Sequence, residues 1–308
     1  MSDSPMSATP YEILGVAATA SHDELRRAYR RLARETHPDT GGDPARFIAV
    51  QRAWELVATP EDRAQYDRGR ATGRPDIEEA WAAPASGRPE RRDTRPTARS
   101  YGHPGGWRRE RYLAMIREYV GLGEPIADPY DPALVRRAPR EIRHVLADAL
   151  AEEATARTLA ELGIGFTVWH DVDATGFPED KVDHVVLGPT GLWALLSEDF
   201  GGPVRFRRGE LIGEAVGDDR PMHRLGVRAK ALRRSLGVRF TALVIVLPDD
   251  AFEDPYTVLG SIRGATTVVV RQSYLAMLLR SGVPDVPTIG GTDLFEVRTR
   301  LQAGIRFV

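Results

Sequence analysis

Residues 71 to 106 hold Pro75, Pro84, Pro89, Pro96 and Pro104 among arginines, alanines, glycines and acidic residues, with little aliphatic content and no phenylalanine. Such a stretch is too polar to repay its ordering entropy by burial, so no single hydrophobic core can run through it. It divides the chain into a helix-patterned segment before it and a mixed segment from Trp107 onward. A length of 308 residues suits two domains, at about 150 residues each. The expected fold class is therefore multidomain. An all-helical domain over residues 9–68 is followed by a flexible Pro/Arg-rich linker over 69–106, and then by a helical lead-in and an α/β domain over 107–308. A flexible linker of that length reaches roughly 30–35 Å root-mean-square.

Composition narrows the chemistry. The chain has no cysteine, which removes disulfides, thiolate zinc sites, iron–sulfur clusters and thiol nucleophiles. Its formal charge of −2 gives no global attraction to nucleic acid, so any basic function rests on a local patch. Of 42 basic residues only Lys181 and Lys230 are lysines, which leaves two choices for any lysine-dependent mechanism. The longest aliphatic run, Ala242 to Leu247, is far too short to span a bilayer, and the polar start MSDSPMSATP lacks a signal pattern. The expectation is a soluble cytoplasmic protein with no membrane association, no cofactor and no metal.

In the first segment Ser21 and Glu24 form a capping box opening a helix. Along it Leu25, Ala28, Tyr29, Leu32, Ala33 and Thr36 share one stripe, while Arg26, Arg27, Arg30, Arg31 and Arg34 share the other. The helix must end near His37, because Pro38 disfavours helical geometry in the residue before it and Asp39-Thr40-Gly41-Gly42 is turn chemistry. Asp43-Pro44 starts a second helix, Thr59-Pro60 a short third, and Pro10 to Leu14 reads as a leading helix stopped by Gly15.

The order YEILGV, DELRRAYRRLARETHPD, FIAVQRAWELVATPEDRAQYD resembles a complete J-domain, the module by which DnaJ-type co-chaperones act on DnaK-type heat-shock chaperones. The resemblance implies that His37, Pro38 and Asp39 stimulate ATP hydrolysis by the partner, and that Arg26, Arg27 and Arg30 dock it. The residues themselves agree with docking: a His and an Asp flank a rigid Pro at a loop tip, with no second carboxylate, nucleophile or phosphate cradle in the local sequence.

In the second segment, helices are expected from Trp107 to Val120 and from Pro139 to Leu162, then over Pro221–Leu236, Gln272–Ser281 and Thr292–Ala303. Strands are expected at Phe166–Val172, Val182–Leu187, Leu192–Ser197, Val204–Arg207, Phe240–Leu247 and Thr266–Arg271. The motifs EEATARTLAELG, DVDATGFPEDKVDHVVLGPTGLWALL and GGPVRF resemble the NERD, or nuclease-related, domain of the PD-(D/E)XK fold. Enzymes of that fold use a helix Glu, an Asp, and an acidic-x-Lys pair on the next strand, because carboxylates hold a metal and the lysine serves the attacking water. Glu152 (or Glu153) and Asp183 match the first two positions, but Leu196 stands at the acidic position and Glu198 at the lysine position. Lys181, at the start of a strand, does not obviously repair the site. The expectation is a degenerate, non-enzymatic domain kept as a targeting or binding surface for an unidentified client or ligand. The competing reading is a metal-dependent nuclease or nucleic-acid-binding protein. His170-Asp171 and Asp183-His184 read as satisfied structural groups rather than a metal pair. Arg224, Arg228, Lys230, Arg233 and Arg234 read as a solvated helix side at least as much as a phosphate-contacting face.

Overall fold

The structure, a computed structural model, describes residues 9–36, 44–71, 97–121, 123–289 and 291–308. It falls into two compact units, one holding the described residues up to 71 and the other those from 97 onward.

The N-terminal unit holds α1 (Pro10–Ile13), α2 (His22–Glu35), α3 (Pro44–Glu55) and α4 (Pro60–Ala71). Both α1 and α2 open on capping boxes: Thr9 with Glu12, and Ser21 with Glu24. Each pairs orphan backbone donors that a bare helix start would leave unsatisfied. The apolar stripe read from the sequence is buried: Leu25 and Leu32 of α2 join Tyr11, Leu14, Val50, Ala53 and Val57 in one core. Burying a side chain of that size contributes about 1.5–3 kcal/mol. Tyr29 stacks on Trp54 with ring centroids 4.7 Å apart, tying α2 to α3. At the other end the Tyr11 hydroxyl donates to Asp67 at 2.9 Å, and Arg63 Nη2 donates to the Ala18 carbonyl at 2.9 Å. The last helix continues to Ala71, beyond the expected end near Asp67.

The second unit is a mixed α/β domain around a seven-stranded sheet. Its elements are β1 (Arg99–Tyr101), α5 (Gly106–Val120), α6 (Pro132–Arg137), α7 (Arg140–Ala160), β2 (Thr167–Val172), β3 (Val182–Gly188) and β4 (Gly191–Ser197), then the hairpin β5 (Arg205–Arg207) and β6 (Glu210–Ile212). There follow α8 (Pro221–Leu236), β7 (Ala242–Leu247), β8 (Tyr256–Ile262), β9 (Ala265–Arg271), α9 (Leu275–Ser281) and α10 (Gly291–Gly304). The sheet order is β1-β2-β3-β4-β7-β9-β8. The β2–β3, β3–β4 and β8–β9 pairs are antiparallel; the β1–β2, β4–β7 and β7–β9 pairs are parallel.

Period-two alternation sends successive residues of the central strands to opposite faces. Leu192, Ala194, Leu196, Leu243, Ile245 and Leu247 pack with Met222, Leu225, Ala229 and Leu232 of α8. Trp193, Leu195, Val244 and Val246 pack on the other face with Leu159 of α7 and Leu275, Leu278 and Leu279 of α9. A satellite core of Tyr112, Ile116, Val135, Ile142 and Leu146 holds α5 and α6 on the first half of α7.

One boundary departs from expectation. The linker expected through residue 106 ends earlier: Thr97 bridges Gly163, and Arg99–Tyr101 adds β1 to the sheet edge, parallel to β2. Close approach seals the exit from that strand, since a Cβ at Gly102 would lie 2.3 Å from the His170 carbonyl oxygen. Residues 72–96 of the expected linker lie outside the described residues. Among the described residues no helix is long and apolar enough to cross a membrane.

Candidate functional site

On α2 the two faces separate cleanly. Leu25, Ala28 and Leu32 are buried, while Arg26, Arg27, Arg30, Arg31 and Arg34 are all exposed. Arg27 Nε donates to the Asp23 carbonyl at 3.2 Å, and Arg31 stands 4.0 Å from Glu35. Exposed i,i+4 contacts of that kind are weak, so the face keeps its positive character. His37, Pro38 and Asp39 follow directly in sequence and lie outside the described residues.

In the second unit the chemistry concentrates where α5 and α7 meet the start of β3 and the ends of β2 and β4. Glu152, on the buried face of α7, is fully enclosed; Glu153, the other residue matching the helix position, instead pairs with Arg109 at 2.6 Å near the surface. Lys181 lies at the centre of the cluster, on the same side as Asp183. A 3₁₀ turn over Pro178–Asp180 delivers it in extended conformation, so the two-residue period carries Lys181 and Asp183 to the same side. Its Nζ donates to Glu152 at 2.6 Å, Asp171 at 2.7 Å and Asp183 at 2.8 Å. Asp171 reaches this position through a left-handed backbone, φ +51°, where β2 loses its pairing with β3 for one residue.

Arg108, from the first turn of α5, supplies the second internal cation. Its guanidinium donates to Glu152 and, at 2.6 Å, to Asp148, with Asp183 at 4.0 Å. Glu152 also accepts the Gly105 amide at 3.1 Å, and Asp183 accepts the Ser197 amide at 2.8 Å.

The residues at the two mismatched positions go elsewhere. Leu196 belongs to the apolar core beneath α8, so the expected acidic position is a packing position. Glu198, just past β4, accepts from Arg224 Nη2 at 2.9 Å, while its Oε2 is buried with no hydrogen-bond partner. Nearby, His144, Asp148 and Glu198 offer ligand-type atoms within 4.8 Å of one another. Arg224 and Arg228 thus turn inward from the helix expected to show a solvated basic side: Arg228 is buried and donates to the Glu179 carbonyl at 2.6 Å.

Burial sets the proton affinities. Glu152 is pushed up to about 8 by burial and by Asp183, with Lys181 and Arg108 opposing. Asp148 is raised by burial against Arg108. Burial alone would raise Asp183, but Lys181 and Arg108 outweigh it and hold Asp183 below the usual carboxylate range. His170 falls to about 4 through burial and Lys181, and His184 is held well below its ordinary value by burial and His170. Two neutral rings therefore meet, Nδ1 to Nδ1 at 2.7 Å, in a chain running from Ser100 Oγ through His170 and His184 toward Ser197 and Thr155. They are satisfied structural groups.

These shifts fix a pH dependence. A group whose folded pKa is raised stabilises fully below its unfolded value and loses that contribution as pH rises through the folded value. For Glu152 the window runs from the unfolded value of 4.5 to about 8. His170 and His184 act oppositely, but only up to their unfolded value of 6.5. Between pH 6.5 and 8 the second unit is therefore expected to lose stability through Glu152. Melting curves at the two pH values check this, and Glu152→Gln should reduce the slope, with Asp148, also raised by burial, acting in the same direction.

Comparison with known proteins bears on the first unit. The DnaJ domain model matches residues 9–67. The chain is 59% identical over 59 residues to chaperone protein DnaJ of Tropheryma whipplei (strain Twist), covering 19% of this chain and 17% of that protein. It is 52% identical over 58 residues to chaperone protein dnaJ A6 of Oryza sativa subsp. japonica, covering 19% and 14%. Residues 9–67 are a J-domain. The solution structure of the J-domain from human DnaJ subfamily C member 12 is 25% identical with a TM-score of 0.20, covering 28% of this chain and 87% of that one. The chain spans less than a fifth of the length of the curated relatives named.

Within the J-domain, Arg26, Arg27 and Arg30 stand together on the exposed face of α2, as the helical period requires. In the second unit the structure gathers Glu152 and Asp183 on Lys181, while Leu196 belongs to the apolar core. Sequence reasoning missed Arg108, which is 44 residues from Glu152 and carries no local signal. It also missed His144, whose i,i+4 spacing to Asp148 on one helix face was a readable sign.

Proposed function

We propose that the chain is a cytoplasmic co-chaperone whose J-domain docks on a DnaK-type chaperone and stimulates its ATP hydrolysis at whatever the second unit binds. The observation that carries this reading is the exposed arginine face of α2 leading in sequence into His37-Pro38-Asp39. Five clustered guanidinium groups attract an acidic partner surface, raise the encounter rate and lose strength with salt. The J-domain supplies position, not chemistry; hydrolysis belongs to the partner. Single-turnover ATP hydrolysis by a DnaK-type chaperone, with the intact chain and with His37→Gln, tests the reading, and equal rates would overturn it.

The second unit serves, in this reading, as a non-enzymatic targeting module, a degenerate relative of the nuclease-related fold. Glu152 and Asp183, on which that likeness rests, both bond Lys181. However, Leu196 is buried hydrocarbon, and the Lys181 ammonium fills the place among Glu152, Asp171 and Asp183 that a metal would take.

A metal-dependent nuclease is the second reading, favoured by one observation: His144, Asp148 and Glu198 converge around the unpartnered Glu198 Oε2. One imidazole with two carboxylates suits a transition metal better than Mg²⁺, and a bound ion would supply Lewis-acid chemistry there. Plasmid DNA incubated with the full chain and Mg²⁺ or Mn²⁺ is expected to survive as it does with Glu198→Gln. Metal-dependent cutting by the wild type that is lost in that variant, with its melting temperature kept, would establish the nuclease instead.

A further inference from the structure

A second charged region lies at the far end of the same sheet. Because β4, β7 and β9 run parallel, Ser197 and Glu198 mark their C-terminal end, whereas Arg239, Leu243 and Ala265 mark the opposite one. There a cavity of about 230 Å³ opens between the second half of α8, the lead-in to β7 and the β8–β9 turn, with Lys230, Arg233, Arg239 and Arg263 on its walls. Among the described residues no carboxylate lies within 4.0 Å of any of these four cations. Like charge is felt at Lys230, where Arg263 and the neighbouring Arg234 hold the pKa below its ordinary value. This is one of only two lysines in the chain, and the other is spent on an internal cluster.

Two backbone features build the pocket. Arg263 occupies the tip of the two-residue turn between β8 and β9 with φ +53°, followed by Gly264 at φ +86°. That left-handed pair is the turn geometry that glycine and asparagine serve without strain and that arginine strains. The Arg263 carbonyl accepts a long contact from Arg233 Nη1 at 3.5 Å, linking the turn to α8, but its guanidinium makes no hydrogen bond or ion pair among the described residues. Gly226, in the interior of α8, allows the close approach, since a Cβ there would lie 3.1 Å from Ile262. A strained backbone that holds a cation toward other cations is a cost that an anionic ligand would offset.

We propose that this pocket binds the phosphate group of a phosphorylated ligand. Guanidinium groups recognise phosphate through paired donors, and a lysine adds a point charge. The volume is below the roughly 300 Å³ at which drug-sized pockets begin, so the phosphate enters and most of what it esterifies stays outside. The ligand is either a small phosphorylated molecule or one phosphodiester of a polynucleotide.

The test uses the full chain with three probes: inorganic phosphate, adenosine monophosphate and a labelled duplex DNA of random sequence. Binding is followed by calorimetry for the first two and by fluorescence anisotropy for the third, in low and moderate salt. The decisive variant is Arg263→Gly, which removes the guanidinium and also relieves the turn. It is expected to weaken binding about tenfold and leave the melting temperature unchanged or higher, while the control Arg205→Ala, on an exposed strand of the same unit, leaves binding intact. Lys230→Ala with Arg263→Gly should abolish binding. Small-probe binding with these losses marks a small-molecule site, and duplex binding alone marks a polynucleotide site; both uphold the pocket. Failure of all three probes to bind, or equal affinity in wild type and the double variant, would overturn it.

Discussion

His37→Gln is expected to reduce stimulation of ATP hydrolysis by a DnaK-type chaperone about tenfold or more, toward the unstimulated rate. Coupling between two binding events in a regulated complex is typically about 1–3 kcal/mol, and the J-domain must deliver such coupling through a small contact. The candidates are few. In the sequence a His and an Asp flank Pro38, and proline is a residue that restricts the backbone of its own position and of the one before it. Glutamine keeps the size and a polar group but loses the ring that can donate and accept on opposite edges. Single-turnover hydrolysis measures the effect directly. A second axis separates docking from stimulation: the arginine face of α2 should govern how stimulation falls with ionic strength, whereas His37→Gln should lower the rate at every salt concentration. A variant that stimulates as well as the wild type would remove the proposed function.

Lys181→Met is expected to destabilise the second unit by about 3–5 kcal/mol, because it removes the ammonium that Glu152, Asp171 and Asp183 share and leaves Arg108 to offset them. Lys181 is 1% exposed and its three partners are 0–3% exposed, so water cannot take over from the ammonium. Burial by itself disfavours the charge on Lys181, yet Asp183 and Glu152 outweigh it and hold its pKa above the ordinary value. For a domain of about 200 residues such a loss lowers the melting temperature by roughly 10 °C. Trp169 and Trp193, both buried in this unit, report its unfolding by fluorescence. A change below about 1 kcal/mol would show that the carboxylates are satisfied without the lysine.

How far the sequence disclosed these features depended on where the information lay. A helix with a capped start and a clear stripe was readable, as α2 shows, and so were α8, which opens on Pro221, and the continuous apolar strands β4 and β7. The edge strands β1 and β8 were not, because Arg-Ser-Tyr is exposed throughout and β8 is interrupted by an irregularity between Val258 and Gly260. An edge strand is specified by the neighbour it pairs with, and that neighbour is distant in sequence. In the candidate site, Glu152 and Asp183 were legible through resemblance. Lys181 was set aside because the apolar pattern begins at Val182, although an extended residue keeps the strand's alternation one step earlier. Arg108 could not be found by any local rule, since only the packing of α5 on α7 brings it to Glu152.

The short strand β1 has a practical consequence for anyone dividing the chain. A fragment starting at Trp107 would strip the outermost strand from β2 and leave its hydrogen-bonding edge bare, the kind of surface that recruits a second chain. It would also remove Ser100, the partner of His170 at 2.7 Å, and so open one end of the histidine relay. The smallest piece that preserves the domain begins ahead of Thr97, inside what composition alone would discard as tether.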